Sequence, residues 1–449
     1  MKSNSIRFLN VLWVFTVLYY CFGRVQWKIP SYPALLIYVT ICYASINIGY
    51  RHNKWQAYMK RMDGQRRYKA MPETTAKDIS FDDVKALFVF SCVFVIVFQI
   101  LWVYTYFGMF RLSNMLSIIG SNYFSRLETE LSGNSATMQI KTFFWIFAYF
   151  VYPIGFYFFR EMHLPYKILF IFSMIIDIMA SLNMGISKNL GDVIIIFIAV
   201  ILINPTTSNT GESIRKTLKK NRKRILIVGL ITLTFLIMFG VIQTQRSIAV
   251  GHTGINIKVN ARFGNIRQVT LIDLLFAGNR SLSNVFDQLG VYLSHGYTGL
   301  AYALNLNFEN TWGLGFSRAL MDYARQYLGI DVSSLTYCAR LEETYGWPNG
   351  VSWPTAFVWI GNAVSLWLVP FVLLWLGRLW CKAEYIWRYE HRLMGLIVYS
   401  QFFIAFVYMS CNAQIVQSRQ AFIATIMMLI LFNGHIFKRG TKDIIPSWL

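Results

Sequence analysis

Acidic residues are scarce in this chain: Asp and Glu number 21 against 42 Lys and Arg, and charged residues of either sign fill only 14% of the 449 positions. A soluble domain carries nearer a quarter, so the shortage excludes an ordinary water-exposed fold. Four motifs are missing as well, namely the GxxxxGK[ST] phosphate loop, HExxH, GxSxG and paired CxxC. Their absence argues against nucleotide hydrolysis on this chain. The six cysteines are scattered without zinc spacing, and Cys338 alone lies in the longest polar stretch. A disulfide framework is therefore not expected there, although a Cys338–Cys411 pair stays open. Between Gly23 and Ser31 no acid occurs, so this early connection lacks the Asp-Asp or Glu-Asp pair of many metal-dependent membrane glycosyltransferases. No metal and no cofactor is implied.

What the sequence has in abundance is apolar surface. Hydrophobic residues make up 55% and aromatics 17%, with a mean hydropathy of +0.44. The formal charge of +21 does not point to nucleic acid, because Lys and Arg cluster in short segments between apolar runs. Anionic lipid head groups and the positive-inside bias produce that pattern. About 20 apolar residues cross a bilayer as a helix, and ten runs are read as spans. They cover Phe8 to Gly23, Tyr32 to Gly49, Val84 to Phe107, Thr142 to Phe159, Ile168 to Met184, Val193 to Ile203, Ile225 to Ile242, Ala356 to Leu379, Leu393 to Ser410 and Ala421 to Phe437. The expected fold class is all-α: a polytopic integral membrane protein of about ten transmembrane helices with a large, partly helical outer loop.

Lys2 and Arg7 precede the first run, and no small-x-small cleavage site follows it, so it reads as an uncleaved anchor with a cytoplasmic N-terminus. The basic connections Arg51 to Lys77, Arg160 to Lys167, Arg215 to Arg224, Arg378 to Arg392 and Lys438 to Lys442 then all face inward, and both termini are cytoplasmic. The strongest, Arg215 to Arg224, packs seven cations into ten residues. Residues 1–242 are expected to hold seven spans, 243–355 a large extracytoplasmic loop, and 356–449 the last three spans. That loop carries eight cations and seven carboxylates, a balance typical of a water-exposed domain rather than a topology anchor. Helical apolar spacing over Ser281 to Leu304 and Ser317 to Leu328 predicts short helices within it.

Chemistry is expected at the outer boundary. Arg246 follows the seventh run directly and Arg419 opens the tenth, which puts two guanidinium groups at head-group depth, where phosphate lies and where Arg grips a diphosphate bidentately. Snorkelling interfacial anchors are the plain alternative for both. Lys188, in the turn Gly185 to Asp192, adds a cation. Arg262, Arg267 and Arg280 follow along the loop, then Asp287 and His295-Gly296-Tyr297. His295 has the chemistry of a general base for a sugar hydroxyl, and Asp287, Asp322, Glu342 and Glu343 are candidate carboxylates. Tyr297 and the loop tryptophans can stack on sugar rings, although interfacial belts contain the same residues. Within the spans, Asp177 is costly unless paired and is expected to bond across helices to Asn183 or another polar partner.

The stretch Asp287 to Leu300, with Gly313-Leu314-Gly315-Phe316 and Val351-Ser352-Trp353-Pro354-Thr355-Ala356-Phe357, resembles bacterial O-antigen and capsule repeat-unit polymerases of the Wzy type. The resemblance covers roughly the second half of the chain; the first half matches in hydropathy. Members of that family carry functional arginines in outer loops, and some show an R-x15-G pattern, which Arg262 to Gly278 and Arg280 to Gly296 fit. The resemblance implies a metal-independent glycosyltransferase of the bacterial inner (cytoplasmic) membrane. It would move a growing glycan from undecaprenyl diphosphate to a lipid-linked repeat unit, with a chain-length regulator protein as partner. It also implies His295, Arg280 and Asp287 as catalytic and Arg246, Arg262, Arg267, Arg419, Lys188 and Tyr297 as substrate-binding. An O-antigen ligase uses the same donor, and a lipid-linked oligosaccharide flippase is the alternative outside enzymes.

Overall fold

In the computed structural model, which describes residues 4–68, 79–108, 119–123, 136–186, 188–204, 237–246, 260–276, 279–348 and 353–433, the described apolar runs are largely helical. The expected eighth span, Ala356 to Leu379, is not one helix: Ser365, at a φ of 76°, separates a short helix, Ala356–Val364, from the longer Leu366–Glu390. Five of these helices are long and apolar enough to cross a membrane: Asn4–Phe22, Tyr32–His52, Phe81–Phe107, Leu164–Asn183 and Leu366–Glu390. The chain is a polytopic membrane protein. Ile146–Phe158, Leu393–Val407 and Arg419–Asn433 are apolar but shorter. The basic run Arg215 to Arg224, most of the seventh apolar run and the C-terminal cations Lys438 to Lys442 lie outside the described residues.

The chain divides into two compact units. The first spans Ser80–Lys258 and Val269–Leu289, together with Met1–Asn4. Its helices are α3 (Phe81–Phe107), α4 (Ala136–Phe144), α5 (Ile146–Phe158), α6 (Leu164–Asn183), α7 (Lys188–Ile203) and α8 (Leu271–Leu275), plus most of α9 (Arg280–Ser294). Ser80 and Asp83 form a reciprocal capping box that starts α3, satisfying backbone donors the helix leaves open. Inside this unit the carboxylate of Asp177 accepts from the Gln99 amide and the Tyr152 hydroxyl. The expected bond of Asp177 across helices is therefore made to other polar partners, Gln99 and Tyr152, rather than to Asn183, whose amide bonds the Met179 carbonyl in its own helix. The other end of Gln99 accepts from the buried Lys141 ammonium at 3.3 Å, and that ammonium lies over the Trp102 and Trp145 rings, 3.4 and 4.6 Å from their centroids. One amide therefore links a cation and an anion from α3, α4 and α6, the arrangement that buried charges demand.

The second unit spans Ser5–Ile79, Val259–Gln268 and Gly290–Leu449. It holds α1 (Asn4–Phe22), α2 (Tyr32–Tyr68), α10 (Gly296–Ala303), α11 (Arg318–Tyr323), α12 (Tyr337–Tyr345), α13 (Ala356–Val364), α14 (Val369–Glu390), α15 (Leu393–Val407), α16 (Gln414–Gln417) and α17 (Arg419–Asn433). Every residue of α15 is buried, so this helix is wrapped by protein on all sides, as an all-round apolar helix requires. α2 and α14 meet backbone to backbone. A Cβ at Gly49 would lie 2.0 Å from the Leu374 carbonyl oxygen, and one at Gly377 would lie 2.4 Å from that of Ile46. Small residues permit this approach, which substitutes dispersion for the hydrophobic effect that lipid cannot supply. A short antiparallel pair, β1 (Val25–Trp27) with β2 (Gly264–Ile266), ties the loop to the connection after α1.

Candidate functional site

The site begins with the helix α11. Its N-cap Ser317 accepts from the Ala319 amide at 3.1 Å and donates to the Val416 carbonyl at 2.9 Å, so the helix start is bound to α16. Helical spacing then puts Arg318 and Asp322 on one face. The chain continues into a wider π-turn, Ala324–Leu328, which leaves the Arg325 guanidinium 4.0 Å from Asp322 Oδ1. From α17, Arg419 donates to Asp322 Oδ2 through Nε at 2.9 Å and Nη2 at 2.8 Å. One carboxylate thus stands among three cations, and it can neutralise one of them.

Arg318 differs from the other two. Its guanidinium carbon lies 4.6 Å from the Trp353 ring centroid and 5.9 Å from that of Trp359. Among the described residues it makes no hydrogen bond and no ion pair. Burial lowers its proton affinity while Cys338 and then Asp322 oppose that shift, and a guanidinium stays charged through such changes. A half-buried fork of five N–H donors is therefore stabilised on its faces by indole rings and left open at its edge.

Further buried polar atoms without partners lie on the segments packed here: Thr355 Oγ1, Trp359 Nε1, Asn412 Oδ1 and Gln414 Nε2. The Ala356 amide donates to the Met409 carbonyl at 2.9 Å, which joins the start of α13 to the chain before α16. Each such orphan costs about 1–3 kcal/mol in a closed protein, and native structures keep few of them without water or a ligand.

His295 lies at the junction of α9 and α10, beside a residue packed against the segment that carries Thr355. The next residue, Gly296, is pressed so closely that a Cβ there would lie 2.5 Å from the Ser410 carbonyl oxygen and 3.0 Å from the Thr355 nitrogen. The ring Nδ1 faces the Val291 and Tyr292 carbonyl oxygens at 3.2 and 2.9 Å. Both oxygens only accept, so the neutral ring carries its proton on Nδ1 and presents Nε2 as a bare acceptor. Burial pushes the imidazole below its ordinary proton affinity. The arrangement can accept a proton at neutral pH.

The remaining expected residues are dispersed. Arg267 donates to the Gly23 and Cys21 carbonyl oxygens, both at 3.0 Å, while Arg24 donates back to the Arg267 and Gln268 carbonyls at 3.2 Å. This reciprocal clasp closes the end of α1. Tyr297 is buried, its hydroxyl 2.9 Å from Thr16 Oγ1 and 2.7 Å from the Tyr43 hydroxyl, which removes it as an open sugar platform. Arg262 is exposed, with its guanidinium carbon 5.9 Å from the Phe263 ring centroid. In the other unit, Arg246 donates to the Gly185 carbonyl and lies 3.9 Å above Tyr123, while Lys188 pairs with Asp192 at 2.8 Å. Both cations therefore serve the turn after α6. Asp287 is fully buried on α9; Arg280 opens that helix, and its side chain lies outside the described residues, as does Gly278. Cys338 and Cys411 are both free buried thiols, which answers the pairing left open above. Among the described residues no three His, Cys, Asp or Glu side chains come together to hold a metal ion.

Sequence reasoning missed Arg318, Arg325 and the role of Asp322 as their common partner. The signal was present as Arg318, Asp322 and Arg325 within a stretch already read as helical, and the tryptophans that cover Arg318 lie 35 and 41 positions later in the sequence. No family model, curated protein or solved structure matches the chain.

Proposed function

We propose that the chain is a polysaccharide polymerase: a metal-independent glycosyltransferase that moves a growing glycan from undecaprenyl diphosphate to a lipid-linked repeat unit on the outer face of a bacterial inner membrane. In this reading about ten helices span, both termini are cytoplasmic, and the site described above faces outward. The observation that carries the proposal is the trio Arg318, Arg325 and Arg419 around Asp322, with Arg318 open at its edge. A diphosphate is a dianion or more with planar arrays of acceptor oxygens, which guanidinium forks match. Orphaned hydroxyl, amide and indole groups beside it suit the hydroxyls of a sugar.

The chemistry then follows from charge. The acceptor hydroxyl oxygen attacks the anomeric carbon of the donor glycan, and the bond from that carbon to the diphosphate oxygen breaks. The electron pair leaves with the diphosphate, whose developing charge Arg318 and its neighbours stabilise in a partly dehydrated place. The hydroxyl proton passes to Nε2 of His295. Energy stored in the sugar diphosphate linkage drives the step, so no nucleotide is consumed.

Incubating the purified protein with an undecaprenyl diphosphate-linked repeat is the test. A ladder of lipid-linked products is expected, and Arg318→Ala should slow its formation by about 10²–10³-fold. Transfer of the glycan to a lipid A core with no ladder would make the chain a ligase. Recovery of unreacted repeat on the opposite side of a vesicle would make it a flippase.

A further inference from the structure

The loop segment that carries Arg318 has a second face, and that face is apolar and exposed. Trp312 is 81% exposed, Tyr327 71% and Leu328 68%, with Ile330 beside them in sequence at 45%. Trp312 is also held at a positive φ of 53°, a conformation that a bulky residue adopts only when its surroundings enforce it. Four large apolar side chains turned to water would be an aggregation hazard on a soluble surface.

Two independent contacts fix the depth of this segment. Phe316, four residues after Trp312, lies 6.4 Å from Phe422 by ring centroids, and Asp322, five residues before Tyr327, holds Arg419. Phe422 and Arg419 both belong to the first turn of α17, whose remaining residues are predominantly apolar. The exposed group is thus tethered to the end of a membrane-read helix, at the level where aromatic belts form. Its composition agrees: Trp and Tyr with aliphatic neighbours, and the exposed cation Arg325 between them.

We propose that Trp312 together with Tyr327, Leu328 and Ile330 forms an interfacial foot that lies in the head-group layer of the bilayer, its occupant being lipid rather than a protein partner. The stretch folds back onto the membrane as a monotopic element does. This claim does not depend on the reaction proposed above, because it concerns only the tether to α17 and the exposed side chains.

The test places a nitroxide label at Trp312→Cys and, separately, at Leu328→Cys in the full chain, reconstituted in phosphatidylglycerol and phosphatidylcholine nanodiscs. The native cysteines are buried except for the partly exposed Cys21, which is changed to Ser. Glu309→Cys, in the same loop with a half-exposed side chain, is the aqueous reference. Collision with oxygen relative to a water-soluble nickel complex should be several-fold higher at 312 and 328 than at 309. Equal ratios at all three positions would overturn the proposal. So would dipolar broadening between labels in a disc holding two copies, which would assign the face to self-association. Because each of the two positions reports separately, failure of one variant to fold leaves the other decisive, and neither readout requires glycan transfer.

Discussion

Changing Lys141 to Met tests the account of the buried charges in the first unit. The Lys141 ammonium is linked to the Asp177 carboxylate through Gln99, and Tyr152 donates to the same carboxylate. Removing one partner of a buried, directly contacting ion pair costs about 3–5 kcal/mol, because the other charge is left uncompensated; with Gln99 between Lys141 and Asp177 the cost falls at the lower end of that range. Removing a side-chain hydrogen bond between membrane helices, as Tyr152→Phe does, costs on average about 0.6 kcal/mol and at most about 1.7. Lys141→Met should therefore destabilise more than Tyr152→Phe, by about 1.3–2.4 kcal/mol, or roughly one to two orders of magnitude in the folded-to-unfolded ratio at about 1.4 kcal/mol per factor of ten. Asp177→Asn alone should cost as much as Lys141→Met, while the double variant should regain most of the loss, since no net charge then remains in lipid. Unfolding of purified variants in mixed micelles titrated with dodecyl sulfate, followed by helical circular dichroism, measures all four proteins. A double variant whose loss equals the sum of the single losses would show that the two charges do not sense each other, and the reasoning would fail.

The other predictions concern the second unit. Gly377→Val should separate α14 from α2, because the added carbons meet the Ile46 carbonyl 2.4 Å from the Cβ position; the measured consequence is a lower melting temperature with loss of folded protein in detergent. Arg318→Ala should reduce glycan transfer by about 10²–10³-fold, the range seen when one preorganised charge-stabilising donor is removed, with Lys restoring only part because it lacks the planar fork; wild-type rates in the Ala variant would remove Arg318 from the site. His295 is held below its ordinary value of about 6.5, so the unfolded state binds more protons below that pH and the ring's contribution to stability is present above it and lost as pH falls through the depressed folded value. The acidic limb of a pH–rate profile should accordingly lie below that of a free imidazole, and His295→Gln should erase the limb; a limb at higher pH would contradict the assignment. Asp322→Asn should raise the Km for the lipid-linked substrate more than it lowers kcat, because Asp322 positions Arg419 rather than touching the reacting atoms.

Much of the architecture was legible in the order of residues. Long apolar runs in α1, α2, α3, α6 and α14 meet the one requirement a bilayer imposes on a helix, which is local and one-dimensional. The helical spacing in the loop likewise foretold α9, α10 and α11, since a period of 3.6 is a property of neighbours in sequence. His295 could be named as a candidate for a similar reason: a lone imidazole beside glycine and tyrosine stands out without knowledge of the fold. The partners of the charged groups were not legible. Arg267 and Arg318 look alike as letters, yet one is spent on the carbonyls that end α1 and the other is left with its edge open. Asp177 likewise finds Gln99 at a separation of 78 residues. Which guanidinium is consumed by structure and which remains available depends on contacts between distant segments, and those contacts are decided by packing, by the close approach at Gly49, Gly296 and Gly377, and by the cost of leaving any buried polar group unpaired. The sequence determined that this chain lives in lipid; only the tertiary structure decided which of its cations are free to meet a ligand.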